Sequence, residues 1–308
     1  MAIFNLGSIN IDHIYYVKHL PLPGETLLAT DLVTVLGGKG ANQSIAAALA
    51  GSNVRHIGSF GRRDDWIIRS LSDVGIDTSN INAMQGPSGH AIIYVDATAE
   101  NSIVLFGGAN QQITEAQIDT ALAEANEDDW FLLQNETNLG VYAVEMAASR
   151  GLKVCYSAAP FDRDLVRAIL PFADLLIVNE IEERQIREAG SELSQRLDQI
   201  AVVTTFGGKG ARYASPNKEF CSPAYSVDAV DTTGAGDTFL GYLLAALDAD
   251  EAIEIAMQRA MASAALKVSR SGTSRAIPGQ AEVSEFIKAR GSVDGVDAPI
   301  RRHRNVPM

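Results

Sequence analysis

Short apolar runs at Ala2–Leu6, Val54–Ile57, Trp130–Gln134, Lys153–Tyr156, Leu175–Val178 and Ala201–Thr205 punctuate the chain. Between them lie longer stretches, such as Ala41–Ala50 and Val141–Ser149, in which apolar residues return with helical period. The short runs read as strands and the longer ones as helices. Their alternation predicts βαβ units and an α/β fold: a large, mostly parallel sheet with helices on both faces.

Two stretches break that pattern. Residues 13–36 and 88–107 have period-two character, as in Ala91-Ile92-Ile93-Tyr94-Val95 and Ile103-Val104-Leu105-Phe106, with polar turns between. They predict a small β-sheet outside the main layer, suited to act as a lid over a site at the edge of the large sheet. The expected division is therefore a large domain from 1–12, 37–87 and 108–290 and a lid from 13–36 and 88–107. After Ala289 the chain turns rich in Gly, Asp, Pro and Arg and loses helical period, so 291–308 is expected to be a mobile tail, with Arg301-Arg302-His303-Arg304 in solvent.

A length of 308 residues suits one large α/β unit with a small appendage. With 46% hydrophobic and 20% charged residues the chain is of ordinary globular composition, which argues against disorder. Lys and Arg total 25 against 38 Asp and Glu, a formal charge of -13 with no basic surplus for a nucleic acid. An acidic chain that binds a polyanion must do so with local devices: backbone N–H groups, helix N-termini or a divalent cation. Cys155 and Cys221 have no CxxC spacing and are expected to be reduced core residues. The start MAIFNLGSIN has no basic segment, and no apolar run reaches ~18 residues, so a cytoplasmic protein without a membrane partner is expected.

The strongest chemical signal is Asp231-Thr232-Thr233-Gly234-Ala235-Gly236-Asp237-Thr238-Phe239, which runs straight into the helical pattern Thr238–Leu247. Glycines let backbone approach a ligand, and a helix N-terminus offers unpaired N–H groups to an anion. A carboxylate placed there would repel phosphate, so Asp237 needs a reason. Accepting the proton of an attacking hydroxyl during phosphoryl transfer supplies one, against the plainer role of capping the helix.

Other segments are weaker one by one. Gly37-Gly38-Lys39-Gly40-Ala41-Asn42-Gln43 lacks the first glycine spacing and the hydroxyl residue of a P-loop. It suits polyol recognition, and equally a tight turn before a helix. Asn10 and Asp12 share one face if the first strand continues, and could serve adjacent hydroxyls or merely form a turn. Asn179-Glu180-Ile181-Glu182 follows an apolar strand, where open α/β sheets bind ligands and Mg²⁺ is organised; helix capping is the rival. Thr205-Phe206-Gly207-Gly208-Lys209-Gly210 reads as a strand and glycine loop able to meet nucleotide phosphates, or as a bare hairpin turn. No G-x-G-x-x-G follows the first strand, which excludes a dinucleotide-binding dehydrogenase.

Taken together, Gly7-Ser8-Ile9-Asn10-Ile11-Asp12, Pro21-Leu22-Pro23-Gly24-Glu25, Gly37–Asn42, Asn179–Glu182 and Asp231–Asp237 resemble, in order and interval, the ribokinase-like group of the PfkB sugar kinases, from about Ala2 to Phe286. The resemblance implies ATP-dependent phosphorylation of the terminal hydroxyl (O5) of a neutral sugar, D-ribose first, with Asp237 as catalytic base and the N–H groups of Gly234, Ala235 and Gly236 as anion hole. It implies sugar contacts from Asn10, Asp12, Gly38, Lys39, Asn42 and Glu136, and nucleotide contacts from Asn179, Thr205, Gly207 and Gly210. Glu182 is implied to support Mg²⁺. Potassium is implied beside the anion hole at Asp231, Thr233, Val268, Ser271 and Thr273, and a homodimer through the lid. The implied sugar contacts include a single Lys and no Arg, against a phosphorylated acceptor. Fructose, 2-keto-3-deoxygluconate, deoxyribose and adenosine remain as other acceptors, and a non-catalytic sugar-binding regulator as another class. His90 departs from the pattern at a lid position expected to be small or apolar, where it meets the sugar or lies on the lid surface.

Overall fold

The computed structural model describes residues 1–98 and 100–290; the expected tail with its Arg301–Arg304 cluster lies outside them. The strands are β1 (Ala2–Leu6), β2 (Asn10–Tyr16), β3 (Asp31–Gly37), β4 (Asn53–Gly61), β5 (Ile81–Met84), β6 (Gly89–Val95), β7 (Asn101–Phe106), β8 (Trp130–Leu133), β9 (Lys153–Ser157), β10 (Leu175–Asn179), β11 (Ala201–Thr205), β12 (Ala211–Ser215) and β13 (Lys218–Ser222). The α-helices are α1 (Lys39–Leu49), α2 (Trp66–Ser72), α3 (Glu115–Leu122), α4 (Gly140–Ser149), α5 (Arg163–Ile169), α6 (Glu180–Glu188), α7 (Ser191–Leu197), α8 (Ala235–Asp248), α9 (Ile253–Val268) and α10 (Gln280–Arg290).

Nine strands form one sheet in the order β13-β12-β11-β10-β9-β8-β1-β4-β5. It is parallel from β11 to β5, with β12 and β13 added antiparallel at one edge. This is the expected α/β architecture. Each parallel strand sends alternate side chains to opposite faces. Ile3, Leu132, Cys155, Ile177 and Val203 join the core beneath α1, α8 and α9. Phe4, Phe131, Val154, Leu176 and Val202 join a second core beneath α3 to α7. Both faces are thus covered, which is why these strands read as nearly unbroken apolar runs. Cys155 is buried as expected, whereas Cys221 on the antiparallel edge is only half-buried.

The second sheet has four strands in the order β3-β2-β6-β7. Strand β2 begins at Asn10, so Asn10 and Asp12 stand at the root of this small sheet and not on a continuation of β1. The close crossing of α1 and α8 sets the geometry of the site below. A side chain at Gly241 would meet Ala46 and stand 2.7 Å from the Gln43 carbonyl. Only glycine allows α8 to lie this close to the helix that carries Asn42 and Gln43.

Candidate active site

Lys39, Gln43, Asn179, Glu182, Thr205, Gly234, Gly236 and Asp237 line one open cleft at the carboxyl ends of the central parallel strands. That is where a parallel α/β sheet exposes its helix N-termini and loops to a ligand. Of the site residues read from the sequence, Lys39, Asn179, Glu182, Thr205, Gly234, Gly236 and Asp237 therefore meet at one place.

Asp237 stands in the first turn of α8, half-buried at the base of the cleft. Its Oδ1 accepts from Gln43 Nε2 at 2.9 Å and its Oδ2 from Asn42 Nδ2 at 3.3 Å. Burial raises its pKa above the ordinary aspartate value, while Lys39, Gln43 and Asn42 pull the other way. Gly234 precedes the helix at φ 72°, a left-handed conformation that glycine adopts without strain. The three expected anion-hole donors are not equivalent. Ala235 N–H donates to the Thr232 carbonyl at 3.2 Å and closes a turn, whereas Gly234 and Gly236 N–H have no backbone partner among the described residues.

Gln43 belongs to a polar chain that the sequence reading missed. Gln134 Nε2 donates to Gln43 Oε1 at 2.7 Å and to Asn5 Oδ1 at 3.0 Å. Asn5 Nδ2 donates to Ser44 Oγ at 2.8 Å, and Ser44 Oγ lies 2.8 Å from His56 Nδ1. His56 Nε2 reaches the Gly7 carbonyl at 3.1 Å, so Nε2 carries the proton and Nδ1 accepts from Ser44. Burial lowers the His56 pKa to about 4, so the ring is neutral and the chain has a fixed polarity. The only warning in the sequence was the presence of Asn5 and Gln134, polar residues in or beside otherwise apolar strands.

A second cluster adjoins the cleft. Glu136 Oε2 accepts from Ser8 Oγ at 2.5 Å and from Lys39 N at 3.2 Å. Asp12 is buried, with its carboxylate over the bare backbone of Gly37. Burial, then Glu136, then Asp237 raise its pKa to about 6. Lys39 is the compensating charge. Burial opposes its ionised form, but Asp237, Glu136 and Glu182 outweigh that and raise its pKa. Asn10 Oδ1 accepts from Asn110 Nδ2 at 2.8 Å, and Asn110 Oδ1 accepts from Ile9 N at 2.9 Å, so Asn110 orients Asn10 from a short 3₁₀ helix, Gly108–Gln111, that no motif marked. Gly38 precedes α1 at φ 91°.

His90 does not join this cluster. The register pairs His90 with Ile11 and Ala91 with Asp12, which puts His90 on the opposite face of the small sheet from Asp12. Its ring packs against Phe106 at 5.1 Å and His13 at 6.2 Å.

On the nucleotide side, Asn179 and Glu182 form a capping box at the start of α6. Asn179 Oδ1 accepts from Ile181 N and Glu182 N, both at 2.9 Å, and Glu182 Oε2 accepts from Asn179 N at 2.9 Å. Capping and cleft lining thus coexist in the same two residues. Gly207 and Gly210 follow β11 outside the cleft lining. Gly210, at φ 108°, has its own steric reason, since a side chain there would strike the Ser222 carbonyl.

The segments implied to hold potassium do come together, but oxygens of Asp231, Val268 and Thr273 are already engaged. Asp231 Oδ1 accepts from Thr233 N at 2.9 Å and Oδ2 from Gly272 N at 3.0 Å. The Val268 carbonyl accepts from Val230 N at 2.7 Å and Asp231 N at 3.1 Å, and Thr273 Oγ1 donates to the Leu36 carbonyl at 3.3 Å. The Asp231 carbonyl accepts from Lys267 Nζ at 3.0 Å. A monovalent metal ion does not fit a donor set that already faces an ammonium group.

The pfkB family carbohydrate kinase model matches residues 2–280. The chain is a pfkB-family carbohydrate kinase. Among its relatives, ribokinase of Haemophilus influenzae is 34% identical over 302 residues, covering 92% of this chain and 97% of the relative. Deoxyribokinase of Salmonella typhi is 33% identical over 304 residues, covering 93% and 99%. The structure of Arabidopsis thaliana ribokinase complexed with ribose and ATP matches with a TM-score of 0.82 at 25% identity, covering 94% of this chain and 99% of that one. This pfkB-family kinase therefore matches sugar kinases along nearly its whole length, and the residues around Asp237 fall inside the matched region. Among the described residues, no helix is long and apolar enough to cross a membrane.

Proposed function

We propose that this kinase transfers the γ-phosphoryl group of ATP to the O5 hydroxyl of D-ribose. The observation that carries the reading is Asp237: a carboxylate at a helix N-terminus, oriented through both oxygens by Asn42 and Gln43 and pushed toward higher pKa by burial. A base whose pKa is raised toward the working pH is the better proton acceptor. The acceptor hydroxyl sits between the Asp237 carboxylate and the γ-phosphoryl group that the Gly234 and Gly236 N–H groups face, loses its proton to Asp237 and attacks the γ-phosphorus in line as its bond to the ADP oxygen breaks and ADP leaves. Those N–H dipoles and Lys39 stabilise the charge on the transferring phosphoryl group.

Asn10, Asp12, Gly38, Asn42 and Glu136 hold the sugar hydroxyls in this reading. Asn42 Oδ1, buried and without a partner among the described residues, is suited to accept from one of them. Asn179 and Thr205 face the nucleotide, with the Gly207–Gly210 turn after β11 beyond the cleft lining. Glu182, a carboxylate in the cleft, fits a hard cation that keeps most of its waters, and the ion would neutralise phosphate charge there.

Ribose is favoured over a phosphorylated sugar because, among the described residues, Lys39 is the one cationic side chain lining the cleft. His90 on the far face of the small sheet offers no shelf for a nucleoside base. The deoxyribokinase relative keeps 2-deoxyribose as a second reading, because the two acceptors differ in one hydroxyl. Phosphorylation of ribose, 2-deoxyribose, fructose, 2-keto-3-deoxygluconate and adenosine in parallel tests this. The expected kcat/KM for ribose exceeds the others by at least about tenfold, as for a site that pairs each hydroxyl. Equal or better turnover of 2-deoxyribose transfers the assignment to that sugar.

The small sheet acts as a lid in this proposal, and two copies pair through it in the cytoplasm. Ile103, Val104, Leu105 and Phe106 on its edge strand β7, and Leu32 on the opposite edge strand β3, are exposed apolar residues of one small sheet, more than a monomer surface usually leaves open. Sedimentation is expected to give a dimer for the native chain and a monomer for Leu105→Lys.

A further inference from the structure

Lys267 is in the last turn of α9 and its side chain is 0% exposed. Lysine is rarely buried to that extent unless its ammonium group is paired. Its Nζ donates to the Asp231 carbonyl at 3.0 Å and lies 3.9 Å from Asp231 Oδ1. Two adjoining loops close around this pair. Val230 N and Asp231 N bind the Val268 carbonyl, and Gly272 N binds Asp231 Oδ2. Three residues after Asp231 the chain reaches Gly234 and enters α8. The charge of Lys267 thus lies inside the joint that sets the direction of the 231–236 loop, and it faces the oxygens that a monovalent cation would draw.

We propose that the Lys267 ammonium is a built-in monovalent cation, a positioning residue that holds the loop ahead of α8 in its anion-binding conformation, so that this kinase works without potassium. The inference deepens the kinase reading and rests on it. Three features carry it together: full burial of the side chain, direct pairing with the Asp231 carbonyl, and prior engagement of the neighbouring oxygens. A cation tethered by its own side chain loses no entropy of capture and cannot be diluted away, whereas a bound ion obeys mass action.

The test uses the full-length enzyme in KCl, NaCl and choline chloride at matched ionic strength. Two readouts are taken: ATP affinity by calorimetry, which needs no acceptor, and kcat with whichever acceptor is turned over. The native enzyme is expected to give the same ATP affinity and kcat in all three salts. Lys267→Ala is expected to lose about 10–100-fold in kcat in choline chloride, the range seen when a partner that orients a site is removed. It is further expected to recover a substantial part of that loss in KCl or NH₄Cl, because the vacated space then admits an ion. The neutral Lys267→Met, which fills the space, is expected to lose activity without recovery.

Saturable stimulation of the native enzyme by KCl in either readout would overturn the proposal even if the Lys267 variants failed to fold. Full activity of Lys267→Met would overturn it too. Failure to phosphorylate any acceptor would count against the kinase reading alone, since the ATP calorimetry reports on the salt response independently.

Discussion

Asp237→Asn lowers kcat by about 10²–10⁴-fold, the range for losing a positioned general base, with ATP and sugar affinities close to native. The amide keeps the shape of the carboxylate: its oxygen still accepts from Gln43 Nε2, and its NH₂ donates to Asn42 Oδ1 once the Asn42 amide turns over, so the α1–α8 crossing at Gly241 is undisturbed. The proton acceptor alone is removed. Steady-state kinetics with calorimetric affinities separates the two effects, and a variant with near-native kcat would remove Asp237 from the mechanism. The same logic sets the acid limb of the native rate. Because burial raises the Asp237 pKa, activity is lost as pH falls through a value above the ordinary aspartate range.

Asp12→Asn raises KM for the acceptor by about 10–10²-fold, since a hydrogen bond to a charged group is worth roughly 1.5–3 kcal/mol. It also makes the unliganded protein more stable at neutral pH. Asp12 moves from the ordinary 3.8 to about 6 on folding, so the folded state holds its proton more tightly than the unfolded chain. That favourable contribution is fully present below about 3.8 and is lost as pH rises through about 6. At pH 7.5 the native carboxylate is ionised beside Glu136 and Asp237, and the neutral amide avoids a cost of order 1–3 kcal/mol. Thermal unfolding is therefore expected to show Asp12→Asn above native at pH 7.5 and level with it near pH 4. A variant less stable than native at pH 7.5 would mean that Asp12 is a structural ion pair. The paired outcome, weaker sugar binding with greater stability, is the signature of a group retained for function.

The central strands were legible in the sequence because a strand buried on both faces must be apolar along its whole length. Ala2–Leu6, Leu175–Val178 and Ala201–Thr205 were read to within a residue of β1, β10 and β11. The small sheet was legible for the opposite reason: its strands alternate, and β7 leaves its apolar residues exposed. Asp237, Gly234 and Gly236 could be named in advance because glycine, carboxylate and helix start are adjacent in the chain, and a local motif survives any tertiary arrangement.

Residues that act across long separations were not legible. Gln43 is 194 positions from Asp237, Asn110 is 100 from Asn10, and Lys267 is 36 from Asp231. Nothing local distinguishes Lys267 from a solvated lysine ending a helix, where a positive charge is favourable in any case. His90 could not be assigned a face until the register of β6 against β2 was known, because a shift of one residue turns every side chain over.

The order of apolar and polar residues by itself determined the α/β layering, the small sheet and the position of the Gly-Ala-Gly-Asp turn, since each depends on burial or backbone freedom within a few residues. Only the tertiary structure decided which amides orient Asp237, that Asp12 is held near a pKa of 6, and that the Lys267 ammonium meets the Asp231 carbonyl. Those properties depend on distances between side chains brought together by the crossing of helices and strands, and on how much water the crossing excludes.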